Sequence, residues 1–129
     1  MNYIFDTNII IDGLRQNKRA EKIFSQFENT DDHLFISSIT IFELFSGKSS
    51  KDKKQNQAIN DLLKYFTEVD INLKIAKIAG EIYRDKIKDL GVPDYIIAAT
   101  AIEIGAQVAT LNLKHFQKIP GLSIYSPKP

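Results

Sequence analysis

Tyr3-Ile4-Phe5-Asp6-Thr7-Asn8 is the stretch on which the fold turns. Tyr3, Ile4 and Phe5 are aromatic or β-branched and read as a short buried strand. The chain becomes polar at once at Asp6, Thr7 and Asn8, then apolar again at Ile9-Ile10-Ile11. A carboxylate at the carboxyl end of a first strand stands where open α/β sheets place their ligands. An Asp at a strand-to-helix junction can equally be a helix N-cap, accepting a backbone N–H. A functional reading of Asp6 therefore needs other acids that converge on it.

Outward from this stretch, strand and helix patterns alternate. Ile9 to Asn17 reads as a short helix or helical turn. Lys18 to Phe27 carries Ala20, Ile23, Phe24 and Phe27 on one helical face. His33 to Ile36 is a second strand. Ser37-Ser38 can cap a helix over Ile39 to Phe45 that stops near Gly47. Lys48 to Gln57 is a polar loop or exposed helix start, and Ile59, Leu62, Leu63 and Phe66 form a helical stripe. Thr67 to Ile71 is strand-like. Asn72 caps a helix running to about Leu90, with Ala76, Ala79, Tyr83 and Ile87 inward and Gly91 at its C′ position. Val92-Pro93-Asp94 starts a helix to Ile104, closed by Gly105. Gln107 to Thr110 is a strand, Leu111 to His115 a loop, Phe116 to Gly121 a turn and Leu122 to Tyr125 a last strand. This order predicts an α/β fold, with a parallel sheet of about four or five strands flanked by helices on both faces.

With 129 residues, 43% hydrophobic and 26% charged, the chain reads as one globular domain over residues 1–129, with a frayed tail from 126. There is no cysteine, which excludes disulfides and thiolate metal sites and is compatible with a reducing cytoplasm. The net charge of +1 gives no global basic field, yet Lys48, Lys51, Lys53 and Lys54 cluster. No signal-peptide pattern follows Met1, and no apolar run approaches the ~20 residues that span a bilayer.

Three acids stand out. Between Leu34 and Phe45 every residue is apolar or hydroxyl-bearing except Glu43. A helix apolar nearly all round is a buried one, and a carboxylate there needs a partner or a metal; a salt bridge to a lysine is the simpler alternative. Asp94 follows Pro93 at a helix start, where capping and the helix dipole also favour Asp. In a doubly wound sheet the ends of the first and second strands and the start of a later helix share one edge. Carboxylates ~4 Å apart repel by roughly 4 kcal/mol at an effective dielectric near 20, so such a cluster calls for a cation. Oxygen ligands alone suit Mg²⁺ or Mn²⁺. Zinc fits less well, because His33 and His115 lack ligand spacing. Asn112 and His115, beyond Thr110, reach the same edge; Asn112 is a candidate carbonyl ligand or a plain turn residue.

Ile4-Phe5-Asp6-Thr7-Asn8, the lone acid in Ile39-Thr40-Ile41-Phe42-Glu43-Leu44, the run Pro93 to Ala101, and Thr110-Leu111-Asn112 with His115-Phe116 together resemble a PIN domain, of the VapC toxin type. The resemblance spans almost the whole chain. It implies a Mg²⁺-dependent endoribonuclease of the cytoplasm, leaving 5′-phosphate and 3′-hydroxyl ends, neutralised by a VapB-type antitoxin and usually dimeric. It makes Asp6 and Asp94 metal carboxylates, Glu43 the third acid, and Asn112 a supporting residue. Family members often carry a fourth acid where this chain has Asn112 and His115, which implies a single-metal site. Thr7 and Asn8 are expected to hold Asp6 in place through hydrogen bonds or to be plain turn residues, and Lys48 to Lys54 to meet RNA phosphates or simply to form a solvated face. The alternative is a catalytically inactive PIN-like module that binds RNA or protein. A response-regulator phosphoacceptor lacks its acidic pair, a dehalogenase-type phosphatase lacks Asp-x-Asp, and no Walker loop or H-E-x-x-H is present.

Overall fold

A computed structural model of the chain describes residues 1–127. Among these, four strands form a wholly parallel sheet in the order β3-β2-β1-β4: β1 (Asn2–Phe5), β2 (His33–Ser37), β3 (Thr67–Val69) and β4 (Gln107–Ala109). The central strand β1 pairs with β2 on one side and β4 on the other, with Ile4 opposite Phe35 and Val108. Its side chains alternate as a strand's period of two requires. Ile4 joins the core under α5 (Leu73–Asp85) and α6 (Val92–Ile104), while Tyr3 and Phe5 join the core under α1 (Thr7–Leu14), α2 (Lys18–Ser25) and α4 (Lys53–Leu63). Helices therefore cover both faces.

The aromatic residues pack on one of these faces. Phe5 meets Phe24, Phe27 and Phe66 with ring centroids 5.1–5.3 Å apart, and Tyr3 meets Phe27 and Tyr125. Such ring pairs add to area burial. The opposite face belongs to α6, which is buried without a break from Tyr95 to Ala101. Ala98, Ala99 and Ala101 let it lie close on the sheet, and Gly105 ends it in the left-handed conformation (φ 66°). Among the described residues no helix is long and apolar enough to cross a membrane.

Several expectations need correction. The helix capped by Asn72 stops at Asp85, five residues short of Leu90. The Tyr95 hydroxyl donates to the Ile87 carbonyl (2.6 Å) and accepts from the Leu90 N–H (3.3 Å), so a side chain takes over those backbone groups and the segment can leave the helix. Gly91 consequently opens α6 as its N-cap, with φ −78°, and does not close α5. The inner face of α5 is Ile75, Ala79 and Ile82; Ala76 is exposed and Tyr83 is 51% exposed. The loop predicted over Leu111 to His115 contains the start of α7 (Leu113–Gln117). The last strand reduces to one parallel bridge, Val108 to Ile124, with Val108 N–H to Ser123 O and Tyr125 N–H to Val108 O both 2.9 Å. Of the expected tail, Ser126 and Pro127 are exposed, and residues 128–129 lie outside the described residues. Finally, α3 (Ser38–Ser46) is not buried all round: Thr40 and Leu44 face inward while Phe42 is 66% exposed.

Candidate active site

Asp6 takes the capping role that the sequence allowed. It is the N-cap of α1, its Oδ1 accepting the Thr7 N–H at 2.8 Å. Its other oxygen, Oδ2, accepts the Thr110 hydroxyl proton at 2.7 Å. The residue is only 5% exposed, at the carboxyl end of the middle strand. Burial pushes its carboxyl up to about 6; the Thr110 hydroxyl opposes this, Asp94 adds to it, the Thr7 N–H opposes it, and Glu43 adds to it. Desolvation and two acidic neighbours all disfavour the charged form of Asp6.

Glu43 projects from α3, the helix that follows β2. Its Oε1 lies 2.7 Å from the Thr7 hydroxyl, which in turn lies 2.9 Å from the Thr40 hydroxyl. A hydroxyl has one proton and an ionised carboxylate can only accept. Thr7 therefore donates to Glu43, and the Thr40 proton serves the Thr7–Thr40 contact. Thr7 was expected to hold Asp6 through a hydrogen bond. It does so through its backbone N–H, and its hydroxyl serves a different acid. Asn8 supports the neighbouring strand end, its Oδ1 facing the Thr110 hydroxyl at 3.5 Å and the Leu111 N–H at 3.4 Å.

Asp94 is the third residue of α6, in the first turn after the N-cap Gly91. Its side chain faces His115, with Oδ2 3.4 Å from Nδ1. His115 Nδ1 also lies 2.7 Å from the Asn112 side-chain amide. Asn112 occupies the N-cap of α7, where Asn ordinarily bonds a backbone N–H of the first turn, and makes no such bond. Its amide is turned to the imidazole instead, and its backbone N–H donates to the Thr110 hydroxyl oxygen at 2.9 Å. A continuous chain of contacts thus links Asp6, Thr110, Asn112, His115 and Asp94.

The three acids share one edge of the sheet, but each is held by its own partner. Among the described residues no three His, Cys, Asp or Glu side chains are drawn together closely enough to hold a metal ion as they stand. The expected convergence is therefore one of shared edge and shared field rather than a finished ligand cage. The donor chemistry is nonetheless all oxygen at Asp6, Glu43 and Asp94, which fits a hard divalent ion. His33, at the far end of β2, is exposed and takes no part.

Thr110 was not singled out in the sequence as a residue of this site. Its signal was available: a hydroxyl side chain at the end of a strand that lies beside the strand ending in Asp6. Thr110→Val, at a 4% exposed position, removes the proton donated to Asp6 and the acceptor for the Asn112 N–H. The expected result is a loss of roughly 1–3 kcal/mol in unfolding free energy. The Asp6 carboxyl should also shift further upward, and Thr110→Ser should restore both. A Val variant as stable as the parent in urea would show that these bonds contribute nothing.

The family model described as PIN domain matches residues 3–122. Among curated proteins, the chain is 30% identical to Ribonuclease VapC19 of Mycobacterium tuberculosis, over 92% of this chain and 95% of that protein. It is 33% identical to Ribonuclease VapC of Rickettsia bellii, over 96% and 95%. Among solved structures, it superposes on a chain of DNA-bound VapBC from Salmonella typhimurium with a TM-score of 0.82 and 29% identity, covering 97% of each chain.

Proposed function

The chain belongs to the PIN-domain family, and from that membership and the geometry of its acids we propose that it is the endoribonuclease toxin of a VapBC-type toxin–antitoxin pair, a single domain that hydrolyses RNA phosphodiesters in the cytoplasm. The observation that carries the reading is the oxygen-only set of Asp6, Glu43 and Asp94 at the carboxyl edge of the parallel sheet, with Asp6 buried and within the electrostatic reach of the other two.

PIN-domain ribonucleases depend on a divalent metal. For this chain we take it to be Mg²⁺, with Mn²⁺ able to substitute, held by Asp6, Asp94 and Glu43 with Asn112 in support. The chemistry such an ion supplies is polarisation of the scissile phosphodiester and a nucleophile at neutral pH. The chain's own residues then have separate tasks. Thr110 and the Thr7 N–H fix the two oxygens of Asp6. The Thr7 hydroxyl occupies Glu43 Oε1, leaving Oε2 to accept the proton of the attacking water. Asn112 and His115 stand beside Asp94, and no carboxylate replaces them, which supports one ion rather than two. The partners are a VapB-type antitoxin and RNA, and the assembly is a homodimer.

The test is cleavage of a defined RNA by purified chain. Cleavage should be absent in EDTA, return with Mg²⁺ or Mn²⁺, and leave 5′-phosphate ends. Glu43→Gln should lose roughly 10²–10⁴-fold in rate, the range for a positioned acid–base group. Undiminished cleavage in EDTA would defeat the reading.

A further inference from the structure

Thr40 is fully buried on α3, one turn ahead of Glu43 and on the same side of that helix. Its hydroxyl meets the Thr7 hydroxyl at 2.9 Å, across the contact between α1 and α3. We propose that Thr40 is a positioning residue for the reaction: its hydroxyl proton, given to Thr7, aims the Thr7 proton at Glu43 Oε1 and so holds Glu43 in a fixed place beside Asp6. The proposal deepens the ribonuclease reading, on which the task of Glu43 rests.

Three observations carry it. The first is the direction of the protons. Thr7 has one hydroxyl proton, and an ionised Glu43 can only accept it, at 2.7 Å. The Thr7 oxygen is therefore the acceptor toward Thr40, and Thr40 is the donor. Two hydroxyls in series polarise one another, so each bond strengthens the next. The second is a contrast within the molecule. Thr100 is as deeply buried on α6, and its hydroxyl turns back to the Ile96 carbonyl of its own helix at 2.7 Å, a common outlet for a helical threonine. The Thr40 hydroxyl reaches instead to another helix, and to a residue that bears on the site. The third is the place of Thr7. It is the first residue of α1, its backbone N–H donates to Asp6 Oδ1 at 2.8 Å, and its hydroxyl donates to Glu43. One residue thus spans two of the three acids. Threonine is β-branched, so rotation to the next staggered well about χ1 would put its methyl where the hydroxyl stands. Thr40 holds the hydroxyl there independently of Glu43. Being 0% exposed, Thr40 cannot touch RNA, and it acts only through Thr7.

The experiment compares Thr40→Val, which keeps the shape and removes the hydroxyl, with Thr40→Ser, which keeps the hydroxyl, in steady-state cleavage of a defined RNA. Thr40→Val should lower kcat about 5- to 10-fold, the scale of one net hydrogen bond, with KM unchanged. Thr40→Ala should match it, and Thr40→Ser should restore the parental rate. Thr7→Val should lower kcat at least as far, and adding Thr40→Val to it should lower it no further, because the two hydroxyls act in series. A Thr40→Val chain with the parental kcat would overturn the proposal. So would a Thr40→Val loss that recurs in full on top of Thr7→Val, in which case Thr40 does no more than fill the core. A second readout is independent of activity: NMR of the metal-free chain, following the Glu43 side-chain carboxyl and the β-proton couplings that report its rotamer. Thr40→Val should shift the carboxyl resonance and spread the rotamer, and Thr40→Ser should do neither. Glu43 signals identical in Thr40→Val and the parent would refute the positioning role. If the parent cuts no RNA, these signals still decide how Glu43 is held, and only the ribonuclease reading falls.

Discussion

Asp94→Asn is expected to abolish metal-dependent RNA cleavage, with a fall of roughly 10²–10⁴-fold or more, while leaving the protein folded. Both halves of this expectation come from the same geometry. Asp94 lies in the first turn of α6, where Gly91 is the N-cap, and its carboxylate is turned to His115. Asparagine keeps the shape and removes the charge. The helix then loses only the favourable interaction of a carboxylate with its N-terminal dipole, about 0.3–1 kcal/mol. The burial of Tyr95 to Ala101 that anchors α6 is untouched. The site, in contrast, loses one of three charges able to hold a cation. Circular dichroism and a urea titration should match the parent, and the cleavage assay should be silent. An Asn variant that cleaves at the parental rate would remove Asp94 from the centre.

The second large effect is at Asp6, and it is a pH effect. The Asp6 carboxyl rises from 3.8 to about 6 in the folded chain, with burial as the leading cause. A folded-state value above the unfolded one means that the native state holds the proton more tightly. The stability contributed by the protonated group is thus fully present below about pH 4 and lost as pH rises through about 6. A shift of about two pK units corresponds to roughly 3 kcal/mol. Asp6→Asn removes this loss. Its amide oxygen still accepts the Thr7 N–H. Its NH₂ faces the Thr110 hydroxyl, which can turn its proton to Asn8 Oδ1 instead, 3.5 Å away. Metal-free Asp6→Asn should therefore melt several degrees above the parent at pH 8 and close to it at pH 4, while being inactive at any pH. Addition of Mg²⁺ should raise the parent's melting temperature and leave the variant's unchanged. A metal-free variant that is less stable than the parent at pH 8 would contradict a crowded, ion-seeking Asp6.

Both predictions concern residues that were visible in the sequence, and the fold was visible to a similar depth. The strand β1 announced itself by three apolar residues ending in a polar step, and its alternation then assigned Ile4 to one core and Tyr3 and Phe5 to the other. Ser37, Asn72 and Gly105 marked helix ends where the structure has them, because a cap is a contact between near neighbours in the chain. The local rules failed where a distant side chain intervened. Gly91 looked like the end of α5, yet the Tyr95 hydroxyl takes the carbonyl of Ile87 and releases the helix early. The contact of the Asn112 amide with His115, three residues on, could not be read from residue type alone. Glu43 looked buried because its helix is apolar nearly all round, but that composition says nothing about which face another element covers, and Phe42 is left outside.

By itself the sequence determined the alternation of strands and helices, the chemical identity of three acids without a thiolate or an ordered histidine pair, and the family these motifs belong to. Those properties reside in residue type and in periods of two and 3.6, which a linear chain displays directly. Tertiary structure alone decided the strand order β3-β2-β1-β4, the gift of the Thr110 proton to Asp6 across 104 residues, the Thr7 hydroxyl's choice of Glu43, and the spacing that leaves the acids short of a ready ligand cage. Each depends on contacts between groups far apart in the chain, and no local pattern encodes the distance between them.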